Sequence, residues 1–245
     1  MRSSRGVALI AVALQILSIS ALTTVCFAQT DSFDKPVRVR VVDLGPAPEY
    51  TDRHIKLSCY YYQKLMVKQL DMGNLGAEWL AIFPVRAGQA PACRRSHGTG
   101  ERTVEGKEWS GYFKGVKQRF VLFDAEDGFN SGIAFAVYDS RTGKRIFEDS
   151  ALRGLLKFST APDGQLTIKY TRVVQQDCSL PNGKADCWDQ IRKKLGFENA
   201  SMPDCTDYGE DLTDPSVIGY PVGVLLSPHP LVTIGTGPIE CWAAE

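Results

Sequence analysis

The chain has 245 residues but only three histidines, no long apolar run beyond its N-terminal region and no excess of charge of one sign. None of the histidines, His54, His97 and His229, stands in an H-x-H, H-E-x-x-H or H-x₃-H arrangement, so common zinc motifs are absent. Lysine plus arginine number 28 and aspartate plus glutamate also number 28. Nucleic-acid-binding domains are typically basic with a clustered patch, so we expect no nucleic-acid partner.

Motifs of the common covalent hydrolases are missing as well. No G-x-S-x-G occurs, so the sequence has no nucleophile elbow. Ser32 and Lys35 match S-x-x-K, but no S-D-N or K-T-G follows. We interpret this match as chance, in an N-terminal tail expected to be unstructured.

Residues 1–28 have the three parts of a secretory signal peptide. Arg2 and Arg5 form a positive n-region, the apolar run follows, and Cys26 and Ala28 occupy the −3 and −1 positions of a cut after Ala28. We therefore predict a secreted or periplasmic protein whose mature chain, 29–245, is a single disulfide-stabilised β domain.

A transmembrane anchor and a lipoprotein are the alternatives for this N-terminal region. The apolar run 6–22 is shorter than the roughly 20 residues that a spanning helix usually needs. A lipoprotein would be modified at Cys26, but the preceding Val25 is branched, where a lipobox has a small residue. After signal removal we expect no membrane span.

The cysteines left after that cut are even in number, which indicates a disulfide framework in an oxidising compartment. They are Cys59, Cys93, Cys178, Cys187, Cys205 and Cys241. No C-x₂-C spacing of a zinc site occurs among them. Only the short bridge Cys178–Cys187 is favoured from sequence, because Pro181-Asn182-Gly183 between them reads as a turn.

Strand patterns dominate the mature chain. Val37, Val39 and Val41 alternate with polar residues, which predicts a half-buried strand. The segments 79–83, 120–123 and 133–137 are apolar on both faces, which is typical of central strands covered on both sides. We expect a core that contains Trp79, Phe83, Phe120, Phe123 and Phe135.

The predicted fold class is all-β and mainly antiparallel, with about ten strands in a sandwich, a barrel or a small propeller-like array. The Asp139–Lys144 turn is of a kind found in propeller blades and favours the last option. One short helix is predicted near 187–195, with Trp188, Ile191 and Leu195 on one face. Asp186 is expected to cap it and Gly196 to end it.

Two groups of acids are candidate cation or catalytic sites. Asp124, Glu126 and Asp127 follow the strand 120–123 in what reads as a glycine-containing turn, and crowded carboxylates suit calcium. The EF-hand spacing is not met, so a solvated acidic loop is the alternative. The second group lies in an irregular stretch and consists of Asp204, Asp207, Glu210, Asp211 and Asp214.

Tyr60 and Tyr62 are the candidate surface for a ligand or partner. On a strand they point away from Cys59 and Tyr61, so they can form a stacking platform for a carbohydrate or a protein. The alternative is that they cover the second face of a buried sheet.

These patterns favour an exported, non-catalytic β domain that binds an unknown protein or carbohydrate partner through loops or a sheet face. No cofactor is expected, calcium at the Asp124 group being the one exception considered. The alternative is a secreted hydrolase, including a glycan-directed one, that uses two carboxylates from the acidic loops. Two facing carboxylates in a cleft would favour the hydrolase, and a filled core with acids only on loops would favour the binding domain.

Overall fold

Two β-sheets and one helix make up the part of the chain that the computed structural model describes, residues 32–48, 52–85, 91–197, 199–206, 208 and 212–245. The predicted signal peptide, 1–28, lies outside the described residues. The strands are, in chain order, β1 Arg38–Pro46, β2 His54–Tyr61, β3 Leu65–Asp71, β4 Trp79–Pro84, β5 Arg102–Glu105, β6 Gly111–Lys117, β7 Phe120–Phe129, β8 Gly132–Asp139, β9 Lys144–Leu152, β10 Lys157–Thr160, β11 Leu166–Gln175, β12 Cys205–Thr206, β13 Ser216–Leu225, β14 Leu231–Ile234 and β15 Glu240–Ala243. The helix, α1, spans Leu180–Leu195.

The first sheet is a five-stranded antiparallel meander in the order β1-β2-β3-β4-β5. The second has ten strands along the path β12-β15-β13-β11-β9-β8-β7-β6, with β10 beside β11 and β14 beside β13. Only the short β12–β15 pair is parallel in the described residues. The predicted all-β, mainly antiparallel class is confirmed. Two broad facing sheets fit the sandwich, rather than the radial blades that the Asp139–Lys144 turn favoured.

The central strands β7 and β8 are covered on both faces, as their apolar sequences predicted. One face packs against the first sheet and contributes Val121, Phe123, Ala136 and Tyr138 to the inter-sheet core. The other face packs into the cluster that contains the helix and contributes Phe120, Leu122, Phe135 and Val137. Trp79, Phe120, Phe123 and Phe135 are buried as expected, whereas Phe83 is only partly buried.

The outer face of the first sheet has its own apolar cluster, which includes Met66, Trp79 and the disulfide-bonded Cys59 and Cys93. The segment 91–101 contains Cys93, and its backbone carbonyls accept hydrogen bonds from Lys68 on β3. The Cys59–Cys93 bond therefore fastens this segment over the sheet.

The edge strand β1 is more exposed than predicted. Val37, which precedes it, is 73% exposed, and Val39 and Val41 within it are 48% and 56% exposed. In the described residues β1 pairs only with β2. The alternation of valines predicted the strand correctly, but the burial was wrong because the face that carries Val39 and Val41 stays open to solvent.

The helix begins at Leu180 rather than near Cys187. Ser179 is the N-cap residue and Pro181 lies in the first turn, where its missing N–H costs nothing. Asp186 is inside the helix and caps nothing. The C-terminal end is as predicted, because Gly196 adopts a left-handed conformation with φ 77° and its N–H bonds to Arg192 O.

Three disulfide bonds pair all six cysteines of residues 29–245: Cys59–Cys93, Cys178–Cys187 and Cys205–Cys241. The short bridge is the predicted one, although the residues between its ends form helix and not a turn. Disulfides persist in oxidising compartments, so they indicate an exported protein. Within the described residues, no helix combines the length and apolarity that crossing a membrane would require.

Candidate ligand-binding groove

A groove of about 690 Å³ lies at one end of the sandwich, between turns of both sheets. The first sheet contributes the β2–β3 turn and Pro84 at the end of β4; the register pairs Leu65 with Pro84, so both reach this end. The second sheet contributes the β6–β7 and β8–β9 turns, brought together because Phe120 pairs with Asp139. The groove is therefore a product of sheet pairing.

The segment before β1 lines the same groove and is tied to the β6–β7 turn. Asp34 N donates to Val116 O at 2.8 Å, and Gln118 N donates to Asp34 Oδ2 at 2.6 Å. Lys117 Nζ donates to Ser32 O at 2.8 Å. The expectation of an unstructured tail is therefore wrong for residues 32–35. The residues that hold this segment are about 85 positions further along the chain, so the tail sequence alone could not reveal them.

Two backbone features allow this docking. Phe33 packs on Gly115, where an added Cβ would lie 2.5 Å from its ring. The Phe33 ring also meets Phe158 edge-on, with centroids 4.9 Å apart. Gln118 takes a left-handed φ of 56°, which is uncommon for a residue with a side chain. Its backbone N–H donates the hydrogen bond to the Asp34 carboxylate. One wall of the groove is thus held in a defined shape.

Of the two candidate tyrosines, Tyr62 lines the groove and Tyr60 does not. The Tyr60 ring lies 4.5 Å from that of Phe113 and packs against the inter-sheet core. Both rings pack partly against the inter-sheet core, and only Tyr62 also borders the groove, so the two do not form one exposed platform. Burial, together with the negative charge of Asp34 and the neighbouring Tyr60, raises the pKa of Tyr62 to about 12. Its hydroxyl stays protonated at physiological pH and can donate a hydrogen bond.

The groove collects more positive than negative side chains. Its basic lining residues are Lys35, Lys64, Arg119 and Arg141, and its acidic lining residue is Asp34. Arg119 is engaged by Asp139, with Nε 3.2 Å from Oδ2. Asp34 is engaged by Lys117, with Oδ1 3.4 Å from Nζ. The remaining three cations form no ion pair within the described part of the chain.

The acids proposed for calcium are not in a turn. β7 continues to Phe129 and pairs with β8 across an irregularity between Asp124 and Gly128, so Asp124, Glu126 and Asp127 are strand residues. Asp124 forms an ion pair with Lys114 on β6, yet burial raises the pKa of its carboxyl. Glu126 accepts a hydrogen bond from Ser110. Asp127 is exposed.

No three His, Cys, Asp or Glu side chains are grouped to hold a metal in the described residues. Of the second acidic group, Asp207, Glu210 and Asp211 lie outside those residues. Asp204 lines a separate cavity of about 450 Å³. The calcium expectation therefore has no geometric support at the Asp124 group.

Another cavity, of about 550 Å³, is lined by Asp43, Asp52, His54 and Asp71. His54 Nδ1 lies 2.7 Å from Asp43 Oδ2. The Gly45 amide and then His54 lower the pKa of Asp43, so its carboxylate already has partners. Asp71 accepts from Gly73 N at 2.8 Å. Asp43 thus stabilises the irregular end of β1, and Asp71 stabilises the turn that follows β3.

Neither a known protein-family model, nor a curated protein, nor a solved structure matches the chain. The sequence pointed to Tyr62 but not to the groove cations Lys35, Lys64 and Arg141. The sequence of one turn does not reveal which other turns will lie beside it in the folded protein.

Proposed function

We propose that this protein is an exported, single-domain β-sandwich that binds a ligand, without transforming it, in the groove beside Tyr62. The observation that carries the proposal is the groove itself, which turns of both sheets and the docked segment before β1 line together. Concave sites with a few convergent polar groups are where proteins usually bind small or chain-like ligands.

The groove walls are held rigidly, which favours binding. Asp34 is hydrogen-bonded to the β6–β7 turn at two points. Tyr62 N donates to Leu65 O at 2.8 Å across the β2–β3 turn. Walls that are ordered before the ligand arrives lose less conformational entropy on binding.

A carbohydrate partner is favoured by the side chains on offer. Gln63, Gln118 and Ser140 line the groove with groups that both donate and accept hydrogen bonds. Tyr62 adds an aromatic ring with a protonated hydroxyl. Such a mixture matches the hydroxyls and apolar faces of a sugar ring.

A glycosidase mechanism needs two carboxyl groups about 5–10 Å apart around the scissile bond. Asp34 is the acid among the described lining residues of the groove, and it is engaged by Lys117 and by the Gln118 amide. One acid that already has partners does not supply the two carboxyl groups of a glycosidase. We therefore favour a non-catalytic binding domain over a hydrolase.

The test is a blocked groove. The oxidised protein is screened on an array of neutral and charged glycans, together with the variant Ser140→Trp, whose ring fills the groove. Thr142→Trp is the matched control, because Thr142 is exposed in the same β8–β9 turn but does not line the groove. We expect Ser140→Trp to abolish glycan binding and Thr142→Trp to retain it.

Binding that survives Ser140→Trp would place the ligand elsewhere and overturn the proposal. Appearance of new reducing ends during incubation with a bound glycan would show a hydrolase instead.

A further inference from the structure

We infer that the groove selects an acidic oligosaccharide, which it recognises with the three cations Lys35, Lys64 and Arg141. The ligand chemistry is a sugar chain that carries carboxylates or sulfates. This inference rests on the proposed function, since it names the ligand class of the same groove.

The first argument is the charge left over when the internal pairs are removed. Asp34 is matched by Lys117, and Arg119 is matched by Asp139. Lys35, Lys64 and Arg141 then remain, exposed and without an ion pair in the described residues. Three uncompensated positive charges around one concave site attract an anion and exclude a cation.

The second argument is their distribution. The three cations come from three separate segments: the stretch before β1, the β2–β3 turn and the β8–β9 turn. They therefore reach the groove from separate elements and do not form a single basic run in the sequence. This arrangement suits a ligand with several charges spaced along a chain.

The backbones that carry these cations are anchored. Lys35 follows Asp34, which bonds to the β6–β7 turn. Lys64 O accepts from Val85 N at 2.9 Å, and Arg141 N donates to Asp139 Oδ1 at 2.9 Å. The backbone at each cation is thus fixed before the ligand arrives, so the entropy cost of binding is mainly that of ordering the three side chains.

A sugar chain fits better than a nucleic acid or an acidic peptide. Without residues 1–28, which hold Arg2 and Arg5 and no acid, the chain has 28 − 2 = 26 basic and 28 acidic side chains. This balance gives no general attraction to phosphate backbones. The amide and hydroxyl side chains between the cations match the many hydroxyls of a glycan, which an acidic peptide lacks.

The experiment uses matched probes. A short oligogalacturonate carries carboxylates, its methyl ester has the same backbone without charge, and a sulfated malto-oligosaccharide carries sulfates only. Binding to the oxidised protein is measured by titration calorimetry at low and high salt. The variants are Lys35→Glu, Lys64→Glu and Arg141→Glu. Lys144→Glu is the control, because Lys144 is exposed at the start of β9, directly after the turn that holds Arg141, but does not line the groove.

We expect at least one acidic probe to bind and the methyl ester to bind at least about tenfold more weakly, which corresponds to about 1.4 kcal/mol. Each charge reversal at a groove cation should weaken binding of the acidic probe by a similar factor. The control Lys144→Glu should leave that binding unchanged. High salt should weaken it because the contacts are ionic. The acidic probe that binds more tightly identifies carboxylate or sulfate as the recognised group.

Failure of this inference differs from failure of the proposed function. If the acid and its methyl ester bound equally and Ser140→Trp abolished both, the groove would remain the binding site. Its selection of anions would be overturned. If poly-glutamate bound in the groove and no acidic glycan did, the ligand class would be an acidic peptide and not a sugar chain. Absence of binding by every acidic probe, with hits only among the neutral glycans of the array, would overturn the inference alone. Absence of any hit on either would overturn both.

Discussion

Lys68 Nζ lies 2.8 Å from Glu101 Oε2 under the segment that the Cys59–Cys93 bond fastens to the first sheet. The two side chains are 2% and 1% exposed. Lys68 also donates to Ser96 O at 3.0 Å. A charged pair taken out of water in this way is stable only when its other hydrogen-bonding capacity is satisfied.

Glu101 satisfies its remaining capacity within its own segment. Its Oε1 lies 2.8 Å from His97 Nδ1, and its Oε2 accepts from Gly98 N at 2.8 Å. The His97 ring lies 4.8 Å from the ring of Trp79, centroid to centroid. The pair therefore determines how segment 91–101 sits on the sheet.

Replacing Lys68 alone should be far more damaging than replacing both partners. Lys68→Met leaves the Glu101 carboxylate buried without its cation, and we expect a loss of about 3–5 kcal/mol in the free energy of unfolding. Lys68→Met combined with Glu101→Gln should recover most of this loss. Urea denaturation of the single and double variants measures the coupling.

The control for this cycle is Glu148→Gln in the exposed Arg145–Glu148 pair, where N and O are 2.8 Å apart. Exposed pairs contribute less than about 1 kcal/mol. Equal losses at the two sites, or no recovery in the double variant, would contradict the structural role given to Lys68 and Glu101.

Acid should destabilise the protein through Glu101. Burial alone would raise the pKa of Glu101, but hydrogen bonds from Lys68, His97 and the Gly98 amide, with the charge of Lys68, hold that pKa below its usual value of 4.5. The unfolded state then binds the proton more readily than the folded state. The stabilisation is present above the unfolded-state pKa and is lost as pH falls through the folded-state pKa.

Denaturation midpoints at neutral and strongly acidic pH measure this effect. The wild-type protein should lose more stability on acidification than Lys68→Met combined with Glu101→Gln, which has no carboxylate there. An identical loss in both proteins would show that other acids are responsible.

The disulfides should leave no free thiol in the exported chain and should differ in their contribution. Cys59–Cys93 spans 34 residues of sequence and Cys178–Cys187 spans 9. Bridges typically contribute about 2–4 kcal/mol, and the chain-entropy model gives the longer loop about 1 kcal/mol more. We expect Cys59→Ala with Cys93→Ala to cost more than Cys178→Ala with Cys187→Ala, and to change the fluorescence of Trp79.

Alkylation under denaturing, non-reducing conditions checks the first part of this prediction. Two or more labelled cysteines in the exported protein would refute complete pairing.

Export should remove residues 1–28. Intact-mass measurement of protein recovered outside the cytoplasm should give a chain that starts at or near Gln29, a few residues before the segment docked at the groove. A chain with Met1 intact in the membrane fraction, or one with a lipid on Cys26, would overturn the predicted cut.

Local patterns in the sequence were enough for the β class. The two-faced apolar runs of β7 and β8 predicted their position between two cores, because a strand that is apolar on both faces must be covered on both. Gly196 marked the end of α1, because few other residues adopt its left-handed backbone easily. The Cys178–Cys187 bridge was predicted correctly but for the wrong reason. A turn was expected between the two cysteines, whereas the residues there belong to the helix.

The tertiary structure decided the contacts between residues that are distant in the chain. Lys68 reads as one polar residue within β3, and only the path of segment 91–101 brings Glu101 to it. Tyr60 and Tyr62 are equivalent in the strand alternation, but Tyr60 meets Phe113 and Tyr62 reaches the groove. Alternation tells which face of a strand a side chain occupies, whereas sheet register and packing determine what covers that face.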